Sequence, residues 1–209
     1  MADFYSENAE TLFERYNALD FEAVHAALMP LLPSTPGTAL DVGAGSGRDA
    51  LALAQRGWEV VAVEPARRLR ELGEAYTQGQ SVQWMDDQLP DLNRSCALSE
   101  RFNLILLSAV WMHVPPGRRQ QSLRTLADLL TPGGVLYLTL RHGPGDGERA
   151  FYPVSHNEVV DLGAREGLAN INLKAQVPQP LDLQGRAAVT WETICLQRPS
   201  ETDQNTDPA

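Results

Sequence analysis

Residues 40–49, LDVGAGSGRD, constrain the fold more than any other stretch of the chain. An apolar run ends on Asp41 and passes through Gly43, Gly45 and Gly47 before a helix from Asp49 to Arg56. Glycines at alternate positions let a backbone turn tightly and come close to a ligand. A second apolar run, WEVVAVE, then ends on Glu64, about twenty residues further on, an acceptor placed for two vicinal ribose hydroxyls. Together these segments describe a nucleoside-binding βαβ unit.

The glycine spacing discriminates among nucleosides. Nicotinamide and flavin folds use G-x-G-x-x-G and seat a pyrophosphate on the helix N-terminus. Counting from Gly43 puts Arg48 where the third of those glycines belongs, and the spacing is instead G-x-G-x-G. Asp41, just before the turn, would repel a pyrophosphate but can serve an ammonium group directly or through water. S-adenosylmethionine carries that ammonium and no phosphate.

At these residues the chain resembles the class I S-adenosylmethionine-dependent methyltransferases, over roughly residues 36–197 and with similarity to bacterial small-molecule and tellurite-resistance enzymes. LDVGAGSG is similar to the family's first motif, and Glu64 with Pro65 to the acidic end of its second strand. VQWMDD at 82–87 is similar to the turn that holds the adenine amino group, with Asp86 and Asp87 both open for that role. FNLILLSAVWMHV at 102–114 resembles the strand-four motif, and TPGGVLYLTLR at 131–141 the family's turn and fifth strand. The resemblance implies cofactor binding by Asp41, Gly43, Ala44, Gly45, Gly47, Arg48, Glu64, Pro65, Asp86 or Asp87, and Ser108, with S-adenosylhomocysteine as product and no metal.

The fold this predicts is α/β and Rossmann-like: a seven-stranded, mostly parallel sheet with helices on both faces, an antiparallel last strand and N-terminal cap helices. Strands are expected at about 38–42, 58–64, 81–86, 102–108 and 134–141, with helices near 47–56, 66–77 and 117–130. Helical spacing of Leu12, Phe13, Tyr16, Leu19, Val24, Leu28 and Leu31 predicts one or two cap helices before Pro33 and Pro36. Ser155 and Glu158 match a capping box that opens a helix ending near Gly167. Ala169–Val177 and Ala187–Leu196 complete the strands. The expected organisation is one domain over 1–198, with cap helices in 1–34 and the core in 35–198, and a disordered tail at 199–209.

Composition narrows the partners. A net charge of −10 without a Lys/Arg stripe disfavours nucleic acid. Cys96 and Cys195 are too few for a disulfide framework or a metal knuckle, and the acidic, polar MADFYSENAE lacks the features of a secretion signal. The expectation is a cytoplasmic monomer or homodimer, off the membrane, acting on a small-molecule acceptor.

Methyl transfer from a sulfonium needs mainly positioning, and a base only when the acceptor must lose a proton. His113, after strand four, is the first choice for that base, with helix capping as its competing role. His142, in the loop RHGPGDGER, is the second. Arg141 and Arg149, were they to converge, would favour an acceptor with a carboxylate or phosphate; surface charge is the stronger reading for Arg149. Tyr5 and Tyr16 are open as pocket walls or as packing, Trp111 and Met112 as acceptor contacts or core, and His25 and His156 read as cap and surface residues. The segment Ser108–Trp111 lacks the Asn/Asp-Pro-Pro-aromatic motif of nucleobase and glutamine amino-methyltransferases. A nicotinamide oxidoreductase and a non-catalytic cofactor-binding partner or sensor are the competing functions.

Overall fold

The computed structural model describes residues 2–171 and 182–200. Five parallel strands form its centre: β1 (Thr38–Val42), β2 (Glu59–Val63), β3 (Val82–Met85), β4 (Phe102–Leu107) and β5 (Leu130–His142). A short β6 (Ala169–Asn170) pairs antiparallel with β7 (Thr190–Gln197), which pairs antiparallel with β5. The order across the sheet is β3-β2-β1-β4-β5-β7-β6. The seven-stranded, mostly parallel architecture expected from the sequence is therefore present. The chain leaves β1 toward one edge and returns to its other side with β4, so the carboxyl ends of β1 and β4 flank the point where strand order reverses.

Alternation along the strands sorts side chains into two cores, because successive residues of a strand face opposite sides of a sheet. Leu40, Val42, Ile105, Leu107, Leu136 and Leu138 pack on one face with Leu123 and Leu126 of α7 (Pro116–Leu129). Ala39, Leu104, Leu106 and Tyr137 pack on the other with Ala50 and Leu53 of α4 (Arg48–Gln55) and with Phe21 and Leu28 from the N-terminal region. Asp41 is thus committed by register to the α4 side, as are Thr139 and Arg141 beyond Tyr137. Strand β5 begins at Leu130 rather than near residue 134, since Leu130 already pairs with Phe102 ahead of a register shift.

The cap is more broken than the periodicity predicts: α1 (Ala2–Glu7), α2 (Ala9–Asn17), α3 (Phe21–Val24) and a 3-10 turn at Met29–Leu31. Asp20 starts α3 by accepting the Ala23 amide at 2.8 Å, a local alternative to continuing α2. Tyr5, Ala9 and Phe13 lie on Ala66, Leu69 and Leu72, so α1 and α2 are seated on α5 (Arg67–Tyr76), the helix that follows Glu64.

The capping box expected at α8 (His156–Arg165) does not form: Ser155 makes no side-chain cap bond, and Glu158 turns to Arg119 instead. The Arg119 guanidinium is buried and donates to Val114 O (3.1 Å), Pro153 O (2.9 Å) and Glu158 Oε2 (2.5 Å). An ion pair in low dielectric outcompetes a surface cap. The strand expected at 169–177 is observed at Ala169–Asn170, and the Ile171 amide still donates to Cys195 O of β7 at 2.8 Å; residues 172–181, and 201–209 of the expected tail, lie outside the described residues.

Arg119→Met should cost at least about 2 kcal/mol, because it leaves two carbonyls and a carboxylate without their charged donor. Urea denaturation followed by circular dichroism checks this, and an unchanged midpoint would contradict it.

Candidate functional site

A cavity of about 290 Å³ opens at the carboxyl ends of β1, β2, β4 and β5, lined among others by Gly43, Ala44, Gly45, Glu64, Pro65, Ser108, Thr139 and Arg141. Its floor is the glycine turn. Gly43 and Gly45 have φ of +75° and +58°, a left-handed conformation that a Cβ disfavours. At Gly43 a Cβ would also stand 2.6 Å from Val110 Cγ2. The turn is tied to β2, since Gly43 and Ala44 amides both donate to Val63 O, at 2.8 and 2.9 Å.

Glu64 closes the same turn. Its Oε2 accepts the Gly45 amide at 2.9 Å and its Oε1 the Ala66 amide at 2.8 Å. Burial pushes its carboxyl up to about 7, against the opposing pull of those two amides and of Arg70. Asp41, behind the turn, is 1% exposed and its Oδ2 has no hydrogen-bond partner. Burial, with Asp49 and Glu64 nearby, raises its carboxyl well above the usual range.

Asp49 behaves oppositely. Burial alone would raise it, yet His25 Nε2 at 2.9 Å and a two-pronged contact from Arg48, Nε at 2.6 Å and Nη2 at 3.0 Å, hold it far below the ordinary value. Arg48 therefore reaches the cavity wall already paired to a carboxylate. His25, expected as a cap residue only, is fully buried in this network.

Across the cavity the cap meets strand four. Tyr5 from α1 lies 3.0 Å from His113 Nε2, and Arg149 Nη1 donates to the same hydroxyl at 3.0 Å. His113 ends a 3-10 turn at Trp111–His113, and its Nδ1 is 2.7 Å from Ala150 O. A carbonyl can only accept, so Nδ1 carries the proton and Nε2 is left to accept from Tyr5. Burial and Arg149 lower the His113 pKa, while burial pushes the Tyr5 hydroxyl up to about 12, so both are neutral near pH 7. Phe151 sits against His113, ring centroids 4.7 Å apart.

Several expected residues stand elsewhere. His142 is not among the lining residues; its Nε2 is 3.2 Å from Glu192, whose other oxygen is 2.8 Å from His156 Nδ1, so a surface pair has taken it away from the cavity. Asp41, Gly47, Asp86 and Asp87 are not among the lining residues: Asp41 lies behind the glycine turn, and Gly47 backs onto Trp84, where a Cβ would stand 2.9 Å from Cζ2. Asp86 pairs with Arg70, and Asp87 is spent on the amides of Gln88, Arg94 and Ser95 at the start of a short helix, while Gln88 faces the cavity. Arg149 is not surface charge: it pairs with Asp146 and lies over Tyr5 and Phe151. Trp111 is fully buried core, whereas Met112 touches the cavity. Tyr5 and Tyr16 both line it.

Sequence reading missed Phe151, Trp191, the Asp182–Arg186 pair and Ala109, whose φ of +59° marks strain at the mouth of β4 and whose amide donates a hydrogen bond to Thr139 Oγ1 at 2.8 Å. Nothing in SAVWMH announces that conformation.

The methyltransferase domain family matches residues 13–150, about two thirds of the chain. The chain belongs to that family. This methyltransferase domain is 31% identical over 162 residues to an uncharacterized methyltransferase of Mycobacterium tuberculosis, covering 77% of this chain and 60% of the relative. The chain thus spans about three fifths of the length of the curated relatives it matches. Among solved structures it is similar to a TehB-like SAM-dependent methyltransferase from Corynebacterium glutamicum (TM-score 0.68, 19% identity, 94% of this chain and 99% of that one). It is also similar to a Burkholderia thailandensis 1,6-didemethyltoxoflavin-N1-methyltransferase solved with S-adenosylhomocysteine and 1,6-didemethyltoxoflavin (TM-score 0.67, 18% identity, 95% and 87% covered). These likenesses concern the fold. Among the described residues no helix is long and apolar enough to cross a membrane.

Two outcomes are expected. Asp49→Asn should lose about 3 kcal/mol near neutral pH by leaving the largely buried Arg48 guanidinium without its carboxylate. Because the folded-state value of Asp49 is depressed, its contribution is present above the ordinary carboxyl value of 3.8 and lost as pH falls below it, so wild-type and variant unfolding curves should converge in acid. For His113, nitrogen chemical shifts at pH 7 should report a neutral ring protonated on Nδ1; a doubly protonated ring would contradict the assignment.

Proposed function

We propose that this protein is an S-adenosylmethionine-dependent methyltransferase acting on a small-molecule acceptor at oxygen, nitrogen or a chalcogen. The observation that carries the reading is the pairing of a positive-φ glycine turn with two buried carboxylates, Asp41 and Glu64, neither of which has an ion-pair partner among the described residues. Such a half-cavity fits a cation rather than a pyrophosphate. The orphan Asp41 Oδ2, just behind the lining, suits an ammonium group reached through water, and Glu64, already aimed by two amides, retains lone pairs for ribose hydroxyls.

Glycine at 43 and 45 keeps the floor clear where the cofactor would lie, and Pro65, Leu69 and Gln88 line the side beyond Glu64. When bound, S-adenosylmethionine supplies an electrophilic methyl group on a sulfonium. Ser108 stays with the cofactor as the sequence resemblance implies, and the residues across the cavity, Met112, His113 and Tyr5, hold and align an acceptor against the methyl end. For an acceptor that must lose a proton, Tyr5 offers the route: its oxygen takes the proton as its own passes to His113 Nε2, 3.0 Å away. The Ala150 carbonyl keeps Nδ1 protonated throughout and so leaves Nε2 free to receive it.

Calorimetric titration with S-adenosylhomocysteine and NAD tests the cofactor assignment. S-adenosylhomocysteine should bind in the micromolar range and NAD should not; the reverse would overturn it. Ribose hydroxyls donate to the ionised carboxylate, so binding favours loss of the Glu64 proton. Affinity should therefore rise with pH to about 7 and level above it. Glu64→Gln should weaken binding about tenfold or more at pH 8 and flatten that slope.

A further inference from the structure

The acceptor half of the cavity holds three arginines in very different electrostatic states. Arg186 is gripped by Asp182, with Nη2 2.6 Å from Oδ1 and Nε 3.1 Å from Oδ2, and Arg149 is paired with Asp146. Arg141 has no carboxylate partner among the described residues. Its residue is 9% exposed, its Nη2 donates to the neutral carbonyl of Pro144 at 2.8 Å, and its buried Nε has no hydrogen-bond partner.

A buried cation without a counterion is costly, and the fold tolerates it where a ligand completes the pair. The surroundings specify that ligand further. Phe151 lies between two guanidinium groups, with Arg141 Cζ 4.6 Å and Arg149 Cζ 4.9 Å from its ring centroid, and Trp191, opposite Arg141 in the β5–β7 register, lines the same space. An aromatic ring stacked beneath a guanidinium fixes the plane of its fork, leaving an edge to meet a planar, two-oxygen anion. One unpaired positive charge calls for one negative charge. We infer that the methyl acceptor is an aromatic carboxylic acid, its carboxylate received by Arg141 and its ring held among Phe151, Trp191 and Met112.

This inference rests on the methyltransferase reading above and names the acceptor class of that site. The test uses the full chain saturated with S-adenosylhomocysteine. Benzoate, 4-hydroxybenzoate and indole-3-acetate are titrated calorimetrically, each against its own primary amide, with phenyl phosphate as a further arm. At least one acid should bind about tenfold or more tighter than its amide. Arg141→Met should abolish that preference while S-adenosylhomocysteine still binds, and Arg141→Lys should restore it in part, since an ammonium keeps the charge and lacks the fork. Equal binding of acid and amide in every pair overturns the inference, as does phenyl phosphate binding about tenfold tighter than every carboxylate, or an acid preference that survives in Arg141→Met. If S-adenosylhomocysteine itself fails to bind, the underlying reading falls and the inference with it; if it binds and the acid preference is absent, the inference alone falls.

Discussion

The hydrogen bond from the Gly45 amide to Glu64 joins the two strand ends on which the whole site is built. It demands a turn at Gly43–Gly47 that only small, positively twisted residues can make, and it demands that β1 and β2 be parallel neighbours so that Val63 O can take two further amides from that turn. Once those strands are in register, the alternation of side chains dictates the rest. Asp41 must face α4, Asp49 must rise from the first turn of α4 toward it, and Leu40 and Val42 must enter the opposite core. A one-residue slip would bury Asp41 among the leucines facing α7.

Charge then divides the cavity. On the β1–β2 side, three carboxylates, Asp41, Asp49 and Glu64, are buried, and of these only Asp49 is met by side-chain partners, His25 and Arg48. Asp41 and Glu64 are left with raised affinity for protons, which is the free protein's substitute for a cation. On the β5–β7 side the imbalance has the opposite sign, because Arg149 and Arg186 carry their own carboxylates and Arg141, among the described residues, does not. Under the proposed function, a polarity of this kind orients a cationic cofactor and an anionic acceptor toward a common middle, where Tyr5 and His113 stand.

The scaffold was legible in the sequence because its signals are local. Apolar runs of four to six residues ending on Asp41 and Glu64, with glycines between them, report strand, turn and acceptor in one window. Site elements brought together over long separations were not legible: His25 and Asp49 are 24 residues apart, Tyr5 and His113 are 108 apart, and Tyr5 and Arg149 are 144 apart. Asp87 misled for the converse reason. Its position after β3 suits a ligand contact, yet the amides of Arg94 and Ser95, seven and eight residues on, were free to claim it. Ser155 lost its capping role in the same way, once Arg119 offered Glu158 a stronger partner than the helix end.

The cap makes chemistry conditional on structure. Tyr5 is held from below by the contact of α1 and α2 with α5, the helix that starts just past Glu64, and from above by Arg149 and His113. Any movement that opens α1 must break the Tyr5–His113 bond and the Tyr5–Arg149 bond together. His113 then loses its donor, and Arg149 loses an acceptor while Asp146 still holds it in place. In the arrangement observed the pair is neutral and pre-oriented at the cavity wall, and through it Tyr5 links the cavity to His113 Nε2. Under the proposed mechanism, proton acceptance therefore requires the arrangement in which α1 also lines the site.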